Sequence, residues 1–376
     1  MSMNAQLRIP QLNPILIREA RTRMRGARPY LILTIFLLVL ILTTFGIYQY
    51  MVSQARSGTV VLSSHIGQAL FKGLAFTEMF FIVLVAPILT SSAISSERER
   101  LTYDMLLATP LRPGQLLSGK LIGALSYLFL LIVASIPVFS IVLIFGSVSL
   151  RTLVLTVILL GGAALFFGTI GLFSSALIGR TVPAVILSYA IVLLICGVPL
   201  IIASIWPQFS TPPGQSPPPW LLYLNPFSAI VAVTTVVPMM PQPDLPFFSV
   251  SDPFMVIPFL SQFSTGIVRY APEGPLLMPV YRATLLGFGL GTFILLWISS
   301  HLALPTRKWQ PRWSDLGFVV VIGAIALVMW VTVEWWWIVP PVEPWLMPVD
   351  APPIAPPVEP WLMPVDAPPI APPMVP

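Results

Sequence analysis

Charged side chains are scarce in this 376-residue sequence, where Asp, Glu, Lys and Arg make up 9% of the residues, against about a quarter in an ordinary soluble domain. With a mean hydropathy of +0.90, that scarcity excludes a soluble globular fold and implies a polytopic membrane protein. Cysteine is nearly absent: Cys196 is the single one and lies in an apolar run, so no disulfide framework forms within one chain. Histidine occurs twice, at His65 and His301, and the span order below puts the two on opposite sides of the membrane, which excludes a shared haem or metal. No Gly-x-Ser-x-Gly elbow, His-Glu-x-x-His zinc pair or Gly-x-x-x-x-Gly-Lys-Ser/Thr phosphate loop is present, so the chain carries no enzyme site and does not itself bind ATP. The first apolar run begins near residue 30, too long for the core of a signal peptide and without a small-residue cleavage site.

What the sequence has is long hydrophobic runs. Spans are expected at 29–50, 69–95, 116–145, 150–178, 181–205, 281–304 and 316–339, each long enough for a hydrocarbon core of about 30 Å. The fold class is therefore all-α, a helical bundle of six core spans plus a seventh, C-terminal span. Six Lys and Arg lie in residues 1–28, four in 96–120, one at Arg180 and three in 305–314, which is 14 of 19 on one side. The excess of positive charge on cytoplasmic loops places that side, and the N-terminus, inside the cell, and the C-terminal tail outside. The net charge of +5 then reflects topology rather than nucleic-acid binding, because the basic residues stand beside spans instead of forming a basic domain.

Within this frame residues 1–28 form a cytoplasmic N-terminus with an interfacial helix: Asn13 caps it, Pro14 suits its first position, and Arg18, Arg21 and Arg25 gather on one side. Leu16, Ile17, Ala20 and Met24 gather on another. The core, 29–304, includes an external segment, 206–280, with 16 of the 42 prolines. Its apolar centre, Trp220–Pro238, is interrupted by Asn225-Pro226 and reads as a re-entrant or interfacial helix pair. Gly161, Gly162, Gly168 and Gly171 in the fourth span, and Gly287, Gly289 and Gly291 in the sixth, allow close helix packing. A basic cytoplasmic loop and the last span, ending in a Trp330, Trp335, Trp336, Trp337 belt, occupy 305–339. The external tail, 340–376, holds PVEPWLMPVDAPPIAP at 341–356 and again, identically, at 357–372; with six prolines per copy it is expected to be an extended chain. Glu78 stands inside the second span. A carboxylate there is costly to bury uncompensated, so Glu78 either lines a translocation path or pairs with Lys72.

The longest charged interruption is Ser96–Lys120, SERERLTYDMLLATPLRPGQLLSGK, with seven of the chain's 33 charged side chains. It cannot lie in hydrocarbon, and Leu101, Met105, Leu106 and Leu107 among polar neighbours read as a turn or two of amphipathic helix stopped by Pro110 and Pro113. By itself it is either a solvated link between two spans or a docking element. The stretch resembles the loop after the second span of type-2 ABC exporter permeases. That family's pattern runs Glu-Arg/Lys-Glu-x-Gly-Thr-x-Glu-x-Leu-Leu-x-Thr-Pro-Leu, followed after a spacer by Gly-Lys. Glu97, Arg98, Glu99, Thr102, Leu106, Leu107, Thr109, Pro110, Leu111, Gly119 and Lys120 fit it, Asp104 stands at the acidic position, and Leu101 replaces the glycine. The span order agrees with the family from about residue 13 to about residue 304.

The resemblance implies a coupling helix, Glu97–Leu107, that docks in a groove of a separate cytoplasmic ABC ATP-binding subunit. In that role Glu97, Arg98, Glu99, Arg100 and Asp104 orient and ion-pair, Leu106 and Leu107 anchor, and Thr102 is counted with them as a coupling residue. It also implies an N-terminal elbow helix, a dimer with a second permease copy or paralogue, and ATP and Mg bound by the partner ATPase, with no cofactor in this chain. The implied setting is the plasma membrane, with lipid around the spans. Apolar spans with few polar groups fit lipids, drugs or peptides as well as a lipid-linked sugar, and fit ions poorly. The reading set against this one is a non-transporting scaffold subunit of a larger membrane complex, tethered by its tail.

Overall fold

The computed structural model describes residues 27–56, 63–103, 113–144, 148–209, 219–234, 280–303 and 313–332. The expected interfacial helix with Arg18, Arg21 and Arg25, the segment 104–112, most of 206–280 and the tail repeat lie outside the described residues. The described residues contain helices and no strand, and all belong to one compact unit. In hydrocarbon a chain must satisfy its backbone N–H and C=O groups internally, which makes each apolar run a helix.

Six helices are long and apolar enough to cross a membrane: α1 (Arg28–Arg56), α2 (Ser63–Ser91), α4 (Pro113–Leu143), α5 (Leu150–Leu177), α6 (Thr181–Phe209) and α8 (Val280–Leu302). They are the six core spans expected from the sequence, and the protein is a multi-pass membrane protein. Three shorter helices accompany them: α3 (Ser95–Glu99), α7 (Pro226–Thr234) and α9 (Trp313–Val331). The apolar part of α9, Gly317–Val331, is shorter than any of the six; at 1.5 Å per residue it covers about 22 Å, less than the core of a bilayer. The remainder of the expected seventh span, beyond Thr332, lies outside the described residues.

At the centre stands α5, which packs on α2 most extensively and also on α4, α6, α7 and α8. Small residues permit this. A side chain at Gly171 of α5 would strike Thr90 Oγ1 and come within 2.5 Å of the Pro87 carbonyl of α2, and one at Gly291 of α8 would meet the Phe166 ring of α5 at 2.5 Å. Phe166 stacks on Phe288 of α8 with centroids 4.8 Å apart, and Phe167 meets the same ring edge-on at 5.8 Å, both inside the favourable range for aromatic pairs. Gly168 lies against Leu125 of α4 and Gly287 against Leu224 of the turn before α7, whereas Gly161 and Gly289 face open space.

Two prolines within helices lie beside contacts to neighbouring elements. Pro87 loosens the turn before it in α2, and the Leu84 carbonyl three residues earlier accepts a hydrogen bond from the Tyr189 hydroxyl of α6. Pro199 does the same in α6: the Cys196 carbonyl accepts from Asn225 Nδ2 at 3.0 Å. Asn225 Oδ1 in turn accepts from Phe227 N at 3.0 Å and so caps α7. A 3-10 turn, Pro219–Leu222, precedes this cap, and α7, nine residues long, packs against α2, α5 and α8. Where α9 meets α8, Phe318 stacks on Phe293 at 4.9 Å and on Trp297 at 4.6 Å.

Candidate functional site

The ends of α2, α4, α5, α6 and α8 converge around the five-residue α3. The chain leaves α2 at Ser91 and re-enters helix at Ser95. Ile94, at the N-cap of α3, has no polar side chain to satisfy the first N–H groups. Ser175 of α5 supplies the acceptor: its Oγ takes hydrogen bonds from Ile94 N at 3.0 Å and Ser95 N at 2.9 Å. Ser95 Oγ donates to the Ser91 carbonyl at 2.9 Å, which closes the break.

The three charges of α3 go to three different places. Glu97 meets Lys120 of α4, Oε2 to Nζ, at 2.5 Å. Lys120 is buried and also donates to the Ala93 carbonyl at 2.7 Å. Arg98 divides its guanidinium between two helices: Nη1 donates to the Ala176 carbonyl of α5 at 3.0 Å and Nη2 to the Leu302 carbonyl of α8 at 3.3 Å. Both acceptors lie in the last turn of their helix, where carbonyls lack intrahelical partners and the macrodipole is negative. The guanidinium carbon lies 5.1 Å from the centre of the Tyr103 ring, whose hydroxyl donates to the Ala303 carbonyl at 2.5 Å.

Glu99 caps the opposite kind of helix end. Its Oε1 accepts from Thr181 N at 2.7 Å and its Oε2 from Thr181 Oγ1 at 2.8 Å, at the positive N-terminus of α6. Those hydrogen bonds, with Arg180 nearby, hold the exposed Glu99 carboxyl below the usual carboxylate range.

α3 stops by a defined device. Leu101 N donates to the Arg98 carbonyl at 3.2 Å and Thr102 N to the Glu97 carbonyl at 3.0 Å, the paired bonds of a Schellman motif. That motif needs a left-handed residue between them, and Leu101 adopts it with φ 58°. This is the position at which the permease pattern has glycine. The expected helix Glu97–Leu107 is thus divided: one helix, Ser95–Glu99, ends in a turn whose apex, Arg100, Leu101 and Thr102, is exposed. Asp104, Leu106 and Leu107 lie outside the described residues. Of the remaining expected docking residues, Glu97, Arg98 and Glu99 have partners within the chain, and Arg100 and Thr102 stand at the apex.

Glu78 occupies a second, separate place. Thirteen residues before the end of α2, about 20 Å along the axis, it is fully buried, and both carboxylate oxygens lie near Ser135 Oγ of α4, at 2.8 and 2.9 Å. Ser135, rather than Lys72, is its partner within the membrane. Nothing in the sequence separates Ser135 from the other span serines; Ser175, Thr181 and Tyr103 were equally silent, although each sits within one turn of a helix end that needs a partner.

A family model described as ABC-2 family transporter protein matches residues 13–331. The chain belongs to the ABC-2 transporter family. The match takes in all nine helices described here, α9 included, and makes this chain the membrane permease subunit of an ABC transporter. Comparison with curated proteins gives no match. As an ABC-2 permease the chain has its six long apolar helices for the membrane and, at one end of the bundle, the α3 hub in the loop after the second span.

Proposed function

We propose that this permease is the translocating subunit of an ATP-driven exporter, with the α3 end of the bundle facing the cytoplasm and docking a separate ABC ATP-binding subunit that carries ATP and Mg. The observation that carries the reading is the division of labour in α3. Its three charges grip the ends of four spans, α4, α5, α6 and α8, and the apex Arg100–Thr102 is exposed, with Leu101 84% accessible. An apolar side chain held outward on a rigid turn suits a helix-in-groove contact. Force applied there reaches every helix that α3 holds, and ATP-driven approach of two ATPase subunits would switch a pair of permeases, two copies or paralogues, between inward-open and outward-open packings. The positive-inside distribution of Lys and Arg supports this orientation.

The test is recovery of the tagged full-length chain in mild detergent, with mass spectrometry and an ATP-hydrolysis assay on the eluate. It is run beside a variant carrying Arg100→Glu and Leu101→Asn. Asparagine tolerates the left-handed backbone, so the variant alters the apex and leaves α3 folded. An ABC ATPase recovered with the native chain and lost with the variant is the expected result. Membrane proteins recovered without any ATPase would overturn the reading in favour of the scaffold role. An ATPase retained by the variant would remove the docking site from the apex.

A further inference from the structure

The ends of α5 and α8 present a physical difficulty that one side chain resolves. Both helices finish at the same end of the bundle with the negative pole of the macrodipole and with carbonyls that lack helical partners. Brought side by side, two such ends repel. Arg98 bridges them, one nitrogen on Ala176 and the other on Leu302, and a planar guanidinium with several fixed donors is suited to serve two acceptors on different helices at once. The ammonium of lysine has no such fork. Arg98 belongs to neither helix; it stands on α3, which packs on α6.

We propose that Arg98 is a positioning residue that clips the ends of α5 and α8 together, so that the placement of α3 decides whether this end of the α5–α8 seam is closed. With the guanidinium in place the seam is closed from the Phe166–Phe288 stack down to the helix ends. Withdrawal of α3 removes the cation, leaves two negative helix ends facing each other, and opens the seam from that end while the aromatic stack holds it in the middle. The clip rests on the transport reading only for its purpose; its existence is a property of this chain alone.

The test is amide hydrogen exchange on the full-length chain in lipid nanodiscs, without any ATPase, comparing wild type with Arg98→Gln, Arg98→Lys and Glu99→Gln. In Arg98→Gln, exchange in the last turns of α5 (172–178) and α8 (297–303) rises roughly tenfold, while the first turns of α6 keep wild-type protection. Glu99→Gln does the reverse. Arg98→Lys restores one of the two helix ends and not both. Spin labels at Leu177→Cys and Ser300→Cys, in a Cys196→Ala background, report a longer and broader separation once Arg98→Gln is added. Wild-type protection at both ends in Arg98→Gln would overturn the clip, as would equal loosening of α5, α6 and α8 in both the Arg98→Gln and Glu99→Gln chains, which marks general loss of structure. If Arg98→Gln does not fold, Arg98→Lys decides: protection of both ends by lysine would show that a point charge suffices and that no fork spans the seam. Because no ATPase is present, failure here leaves the docking proposal standing, and failure of the pull-down leaves the clip standing.

Discussion

Leu101→Gly is expected to stabilise this protein, against the usual effect of introducing glycine. Leu101 is held at φ 58° between the two hydrogen bonds that end α3, and a left-handed backbone costs an L-residue about 1–2 kcal/mol. Glycine removes that cost and adds freedom to the unfolded chain, an opposing effect of about 0.4–1 kcal/mol. Little packing is lost, since the side chain is 84% exposed. The net gain is about 0.5–1 kcal/mol, which at about 2.1 cal/mol/K per residue raises the apparent Tm of a protein of this size by about 1 °C. Leu101→Val should move the other way, because a β-branched residue fits the left-handed region worst. Thermal unfolding in detergent measures both variants, and amide exchange at Thr102 localises the effect. A glycine variant that melts below wild type, or a valine variant that melts no lower, would refute the argument that this turn is strained.

Other expectations follow from single contacts. Gly171→Ala drives a methyl into Thr90 and the Pro87 carbonyl and should lower stability by about 1–3 kcal/mol, whereas Gly289→Ala, which faces open space, should be neutral or slightly stabilising in the same melts. Ser135→Ala leaves Glu78 without its hydroxyl partner and should cost about 1–3 kcal/mol; Glu78→Gln, which can still bond Ser135, should cost less. Phe318→Ala removes two ring contacts between α9 and α8, so exchange across 317–331 should rise while the six long helices keep their protection. The Glu99 carboxyl binds its proton less readily folded than unfolded, so its cap on α6 contributes fully above the ordinary glutamate range of about 4.3. That contribution should be lost as pH falls through the depressed folded value, read as rising exchange in the first turn of α6.

The spans were legible because hydrocarbon thickness fixes the length of an apolar run, and the six core helices follow those runs closely. Their ends were less so: α2 begins at Ser63 and α4 at Pro113, each earlier than the apolar pattern requires, because a helix continues through polar residues once it has left the hydrocarbon. The stop after Glu99 was hidden for a different reason. A left-handed turn is usually announced by glycine, and here leucine occupies it, so Leu101 counted as one more apolar residue of an amphipathic helix. The charges of α3 were visible as a cluster, yet a sequence does not say whether a carboxylate or guanidinium faces a partner protein or a helix end of its own chain. Arg98 and Leu302 are 204 residues apart, and their meeting depends on the packing of α8 along α5. The partner of Glu78 was illegible on the same ground, for Ser135 is set by the register of α4 against α2.

The reach of α3 also sets an order of events during synthesis. Its nearest partner, Lys120, arrives with the next span, and Ser175, Ala176 and Thr181 come with the helices after that. The acceptors for Arg98 and Tyr103 on α8 follow their donors by 204 and 200 residues. At about 5–20 residues per second, the ribosome takes about 10–40 s to supply them. Until Ala176 is made, 78 residues after Arg98, the guanidinium has neither helix end to bond, and from then until Leu302 it has one, so this end of the bundle is completed only when the last core span arrives.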